Sequence, residues 1–144
     1  MGIDLEKGKA TASHLVLPTD TNPLGALFGG RAVEWMDIAS GLAAIRLSGR
    51  PAVTASIERL DFHVPIHWGE IAVVEAEVIG VGHTSMTVQV NMFREEPMTG
   101  ERQLCTRGLF HMVALGADGK PTAVLHRRKA PKGAGAPRGR RREK

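Results

Sequence analysis

Residues 30–47 read GRAVEWMDIASGLAAIRL, and this stretch decides the fold. Within 32–45, ten of fourteen residues are apolar: Ala32, Val33, Trp35, Met36, Ile38, Ala39, Leu42, Ala43, Ala44 and Ile45. A helix apolar nearly all round must be covered on most sides, which predicts a central helix wrapped by a sheet. Upstream, 11–17 (TASHLVL) reads as a strand stopped by Pro18, and 18–30 (PTDTNPLGALFGG) as a loop dense in turn residues. Downstream the period falls to two. Segment 52–62 alternates, 70–81 reads as another strand after the turn-like His67-Trp68-Gly69, and in 84–94 Met86, Val88, Val90 and Met92 share one face. Pro97–Gly100 reads as a hairpin turn leading to a last strand, 102–115. The order β-α-β-β-β-β predicts an α+β fold with antiparallel strands.

A chain of 144 residues suits one domain. The lone Cys105 excludes an intramolecular disulfide framework and a multi-cysteine zinc site. No apolar run approaches the ~20 residues that cross a bilayer, and the N-terminus carries no basic-then-apolar leader pattern. A cytoplasmic protein is the expectation. The formal charge of +4 is unevenly spread. Residues 127–144 hold nine Lys/Arg against Glu143, which leaves residues 1–126 with a charge of −4. The expected division is a folded body over 1–126 and a basic, disordered tail over 127–144. That tail has no aromatic residue to stack on bases, so nucleic acid is an unlikely partner.

Two motifs fail on context. His63 and His67 have the i, i+4 spacing of a helical zinc pair, but Pro65 lies between them in a strand-to-loop region. Gly80-Val81-Gly82 joins two strands, so it is no dinucleotide loop. What survives is the segment 18–41. Asp37 lies inside the apolar helix, and a carboxylate in such surroundings is a functional candidate. It also falls on a narrow polar stripe with Arg31, Glu34 and Gly41, so a surface role or an arginine partner stays open. The helix start at Gly29-Gly30 has no side-chain cap, leaving N–H groups free for a carbonyl or oxyanion. Asn22-Pro23 delivers an amide nearby in sequence. Carboxylate, amide and open helix terminus suit acyl transfer without naming the acyl group.

The strings LPTDTNPLGALFGGRAVEWMDIASGLAA (17–44), VTASIERLDFHVPIHWGE (53–70) and VIGVGHTSM (78–86) closely resemble the hotdog-fold acyl-CoA thioesterases. The similarity is to short bacterial, single-hotdog members of the cytosolic acyl-CoA hydrolase group, and it runs from about His14 to Leu115. It implies a hotdog fold, one long helix wrapped by a curved antiparallel sheet, and hydrolysis of acyl-CoA to a carboxylic acid and coenzyme A. By position it carries the catalytic pair onto Asn22 and Asp37, supplied by different subunits of a dimer. It gives Gly29 and Gly30 the polarisation of the thioester carbonyl. Thr54 and Ser56 fall on the strand bordering the acyl and pantetheine channel. Gly82, His83, Thr84 and Ser85 fall on a turn that meets coenzyme A. His83 stands where many relatives carry Arg or Lys, with Arg59 or the tail as alternative phosphate partners. The resemblance implies at least a homodimer, and the family also builds trimers of dimers.

Asp37 would serve as general base or nucleophile, with Asn22 orienting water or carbonyl. No metal or redox cofactor is expected, because coenzyme A arrives as part of the substrate. Trp35, Met36, Met86 and Phe62 are the candidate tunnel lining. Two readings compete. Hydration of enoyl thioesters needs a histidine beside the carboxylate, with His14, His63 and His83 available. An acyl-CoA-binding regulator would bind without turnover, against which the intact Asn22/Asp37 pair argues.

Overall fold

The computed structural model describes residues 3–124, so the expected basic tail over 127–144 lies outside the described residues. After a single 3-10 turn at Leu5–Lys7 come β1 (Lys9–Leu15) and α1 (Gly29–Ser48), with a second 3-10 turn at Pro18–Asp20 between them. Four strands follow: β2 (Ala52–Phe62), β3 (Ile71–Val81), β4 (Ser85–Glu95) and β5 (Arg102–Ala114). The expected order is thus the observed one, although β1 begins and ends two residues earlier than its apolar pattern suggests. All pairings are antiparallel, in the order β1-β3-β4-β5-β2.

Helix α1 stops where Gly49 turns left-handed at φ 68°, its N–H closing on the Ile45 carbonyl, as glycine readily does just past a helix end. The helix lies across the inner face of the sheet. Ala32, Met36, Ala39, Ala43 and Ala44 pack there against Val74 and Val78 of β3, Met86, Val88 and Val90 of β4, and Phe110 and Met112 of β5. Small residues dominate the helix side, which brings its axis close to the strands.

Coverage on most sides, expected from the composition of α1, is not what a single chain provides. Ile38, Leu42 and Ile45 are 57%, 42% and 42% exposed. They are spaced for one helix face, opposite the alanines. Edge strand β2 also exposes Val53, Ile57 and Phe62. It departs twice from regular pairing, between Thr54 and Ser56 and between Glu58 and Asp61. Arg59 in the second irregularity has φ 55°, a conformation uncommon for a residue with a Cβ. No helix among the described residues is long and apolar enough to cross a membrane.

Candidate active site

The loop before α1 is held open by its own asparagine. Asn22 Oδ1 accepts the N–H groups of Leu24 (2.9 Å) and Ala26 (3.1 Å), while the Asn22 N–H donates to the Ala26 carbonyl (2.8 Å). The amide oxygen is spent on the loop, so Asn22 offers its NH2 donors outward. Gly25 takes φ 79° at the tip, where its Cα side faces Trp68. The Leu27 N–H donates to the Ile66 carbonyl (2.6 Å), tying this loop to the one after β2. Between the two loops and the start of α1 lies a cavity of about 330 Å³. Asn22 and Gly29 line it with Phe62, His63 and Val64, and Met92 and Thr106 are among its buried walls.

Phe28 caps α1 without a side-chain hydrogen bond, and the first helical bond runs from the Ala32 N–H to the Phe28 carbonyl. The N–H groups at the first turn therefore retain their donor capacity. Gly29 reaches the cavity; Gly30 does not line it, and a Cβ there would meet nothing within 4 Å.

Asp37 sits elsewhere. Two turns along α1, about 12 Å by helical rise, its Oδ1 accepts the Thr54 hydroxyl at 2.5 Å. Thr54 also lies 3.4 Å from Met112 Sδ, and the Ser40 hydroxyl donates to the Asp37 backbone carbonyl at 2.9 Å. The partner is a hydroxyl from β2 and not an arginine. Arg31 is engaged with Asp20 (3.2 Å) and Glu34 (3.1 Å). The cavity that holds Asn22 and Gly29 does not include Asp37 or Thr54.

The turn at 82–85 lies at Asp37's end of the sheet. Ser85 pairs with Val113, and Met112 pairs with Thr54 on one side and Met86 on the other. The Gly82 N–H donates to the Ser85 carbonyl, and a Cβ on Gly82 would fall 2.8 Å from Ser85 Oγ, so a side chain there would require the Ser85 hydroxyl to turn away. The backbone carbonyls of His83 and Thr84 accept from Val124 and Ala114. The His83 side chain is exposed. Ser56 and Arg59 are exposed on β2.

The expected tunnel lining needs correction. Phe62 lines the cavity, but Met36 and Met86 are sealed in the core at 0% and 1% exposure, and Trp35 stacks on His14 with centroids 4.2 Å apart. Burial under that stack lowers the His14 pKa, opposed by Asp20. Sequence reasoning passed over Val64, Ile66, Met92 and Thr106. Thr106 carried a signal, being a polar residue on the period-two face shared with Phe110 and Met112. Cys105 is buried, and that burial raises its thiol pKa, which suits an inert side chain. No group of three or more His, Cys, Asp or Glu among the described residues is placed to hold a metal ion.

The thioesterase superfamily model matches residues 24–101. An uncharacterized acyl-CoA thioester hydrolase of Bacillus subtilis is 37% identical over 119 residues, covering 83% of this chain and 69% of its own. The crystal structure of an apo-hexameric acyl-CoA thioesterase superposes with a TM-score of 0.80 at 37% identity, covering 83% of this chain and 76% of that one. An acyl-CoA hydrolase from Staphylococcus aureus, solved with butyryl-coenzyme A, coenzyme A and coenzyme A disulfide, gives 0.80 at 30% identity over 83% and 73% of the two chains. The chain belongs to the thioesterase superfamily and has its hotdog fold.

Proposed function

We propose that this chain hydrolyses acyl-CoA thioesters to carboxylic acid and coenzyme A, at a site completed between two copies. The observation that carries the reading is the separation of Asp37 from the cavity of its own chain. Asp37 of one copy faces Asn22 and Gly29 of the other. The Gly29 and Gly30 N–H groups and the Asn22 NH2 donate to the thioester carbonyl oxygen as it gains negative charge. Asp37, held by Thr54, takes a proton from water as the water oxygen bonds to the carbonyl carbon. The C–S bond breaks, and the proton passes to the departing coenzyme A thiolate. Attack by Asp37 itself through an anhydride is the variant of this scheme. Coenzyme A enters as part of the substrate and leaves as product, its nucleotide end toward the turn at 82–85, with Thr54 and Ser56 along the channel and Arg59 or His83 near the phosphates.

Three observations support this reading. The exposed stripe Ile38–Leu42–Ile45 and edge strand β2 form an apolar surface suited to a second copy. The matching apo structure is described as hexameric. Alanine variants of the S. aureus hydrolase were made at an asparagine, an aspartate and a threonine spaced by 15 and 17 residues, the spacing of Asn22, Asp37 and Thr54.

The test is coenzyme A release from a panel of acyl-CoAs, followed by chromatography, for wild type and Asp37→Asn. Turnover with a loss of about 100-fold or more in the variant is expected. Binding without turnover would leave the regulator reading. Water addition to a 2-enoyl-CoA without thioester cleavage would favour hydration, with His63 in the cavity as its histidine.

A further inference from the structure

Hydrolysis at the mouth of the cavity leaves one wall unexplained. The deep lining is apolar, from Ala32, Ile66 and Met92, with Thr106 as the exception. Thr106 is only 3% exposed. Its cross-strand neighbours are Phe62 on β2 and Met92 on β4, both lining the same cavity. The inward face of β5 continues from it through Gly108 to the core residues Phe110 and Met112. The side chain therefore faces the cavity from the sheet.

Three buried side chains among the described residues are polar: Ser40, Ser48 and Thr106. Ser40 donates to the Asp37 carbonyl at 2.9 Å and Ser48 to the Ala44 carbonyl at 2.9 Å. Thr106 has no such side-chain bond among the described residues. Its hydroxyl is not among the sealed polar atoms without a partner, so it is reached from the cavity, and an alkyl chain filling that space would strip its water and leave it unpaired, which is costly. An oxygen tethered to a bound acyl chain needs only the one bond that Thr106 gives.

We propose that Thr106 is a specificity-determining residue, selecting acyl groups that carry a hydroxyl or oxo oxygen over plain alkyl chains of the same length. This rests on the reading of the cavity as the acyl site. The cavity of one chain measures about 330 Å³, and short acyl groups are the ones it can hold by itself. The threonine hydroxyl both donates and accepts, which admits alcohol and ketone alike.

The experiment compares matched pairs of short acyl-CoAs, plain and hydroxylated at the 3-position or at the chain end, for wild type, Thr106→Val and Thr106→Ser. The wild type is expected to favour one hydroxylated position by about tenfold in kcat/KM. Thr106→Val should abolish that preference, raising the rate on the plain chain, and Thr106→Ser should retain it. Dissociation constants for the matching non-hydrolysable coenzyme A thioethers are measured in parallel. An unchanged ratio in Thr106→Val, or preference for the plain chain at every position, overturns the inference. Discrimination among thioethers without turnover of any thioester would sink the hydrolysis reading and leave this one standing.

Discussion

At the first turn of α1 the chain offers open N–H groups, the donors of Asn22 and a cavity, but no carboxylate lines that cavity. Two turns further on, Asp37 is oriented by Thr54 beside the sulfur of Met112, and the cavity does not reach it. In the proposed scheme the first region polarises and receives, and the second accepts a proton. Each is locally complete, with its polar groups fixed by neighbours on its own chain, and neither is a reaction centre by itself. In the proposed scheme, burial of the exposed stripe at 38, 42 and 45 against a second copy brings the two kinds of region within reach.

The strongest way to break this comparison is subunit mixing. Asn22→Ala and Asp37→Asn are each expected to lose about 100-fold or more in kcat. Mixed after dissociation, they should regain roughly a quarter of wild-type activity, because half the dimers then hold one intact site of two. If one chain supplied both residues, the mixture would stay as inactive as its parents. Thr54→Val sharpens the comparison from the carboxylate side. Loss of the hydroxyl should lower kcat about tenfold, equivalent to ~1.4 kcal/mol, with KM little changed and Thr54→Ser restoring the rate.

The smallest effect lies between the two regions, at the His14–Trp35 stack. Burial places the folded pKa of His14 below its ordinary value near 6.5. On acidification the unfolded chain therefore takes up the proton first. The stabilisation is present above about pH 6.5 and is lost as pH falls from there toward the folded pKa. Thermal melts from about pH 7.5 to 5.5 should show a shallower decline in His14→Phe, which keeps an aromatic ring and cannot titrate.

Most of the fold was legible because its signals are local. The apolar run of α1, Gly49 behind it and the alternation in β4 each specify an element within a few residues. Pairing irregularities were not legible. The shifts at Ala55 and Arg59 arise where β2 bends along β5, and nothing in VTASIERL marks which residue loses its partner. The site divides the same way. Asp37 in an apolar helix and the uncapped Gly29-Gly30 start were visible in the chain, and resemblance supplied the pairing with Asn22. The Thr54–Asp37 bond was not visible, since it joins residues 17 apart across two elements. Met36 and Met86 were misjudged because an apolar side chain near a site looks the same in sequence whether it faces a cavity or the core.

The indole of Trp68 lies 3.6 Å from the position a Cβ on Gly25 would take, on the loop that Asn22 holds, and is 59% exposed. The chain has two tryptophans and no tyrosine, and the other tryptophan, Trp35, is stacked on an imidazole. Ultraviolet emission therefore comes from two indoles in unlike surroundings, one partly shielded by a ring and one open to water beside the Asn22 loop. Replacing Trp35 by phenylalanine would leave Trp68 as a single native fluorophore, and its wavelength would report any change in the surroundings of that loop without any label.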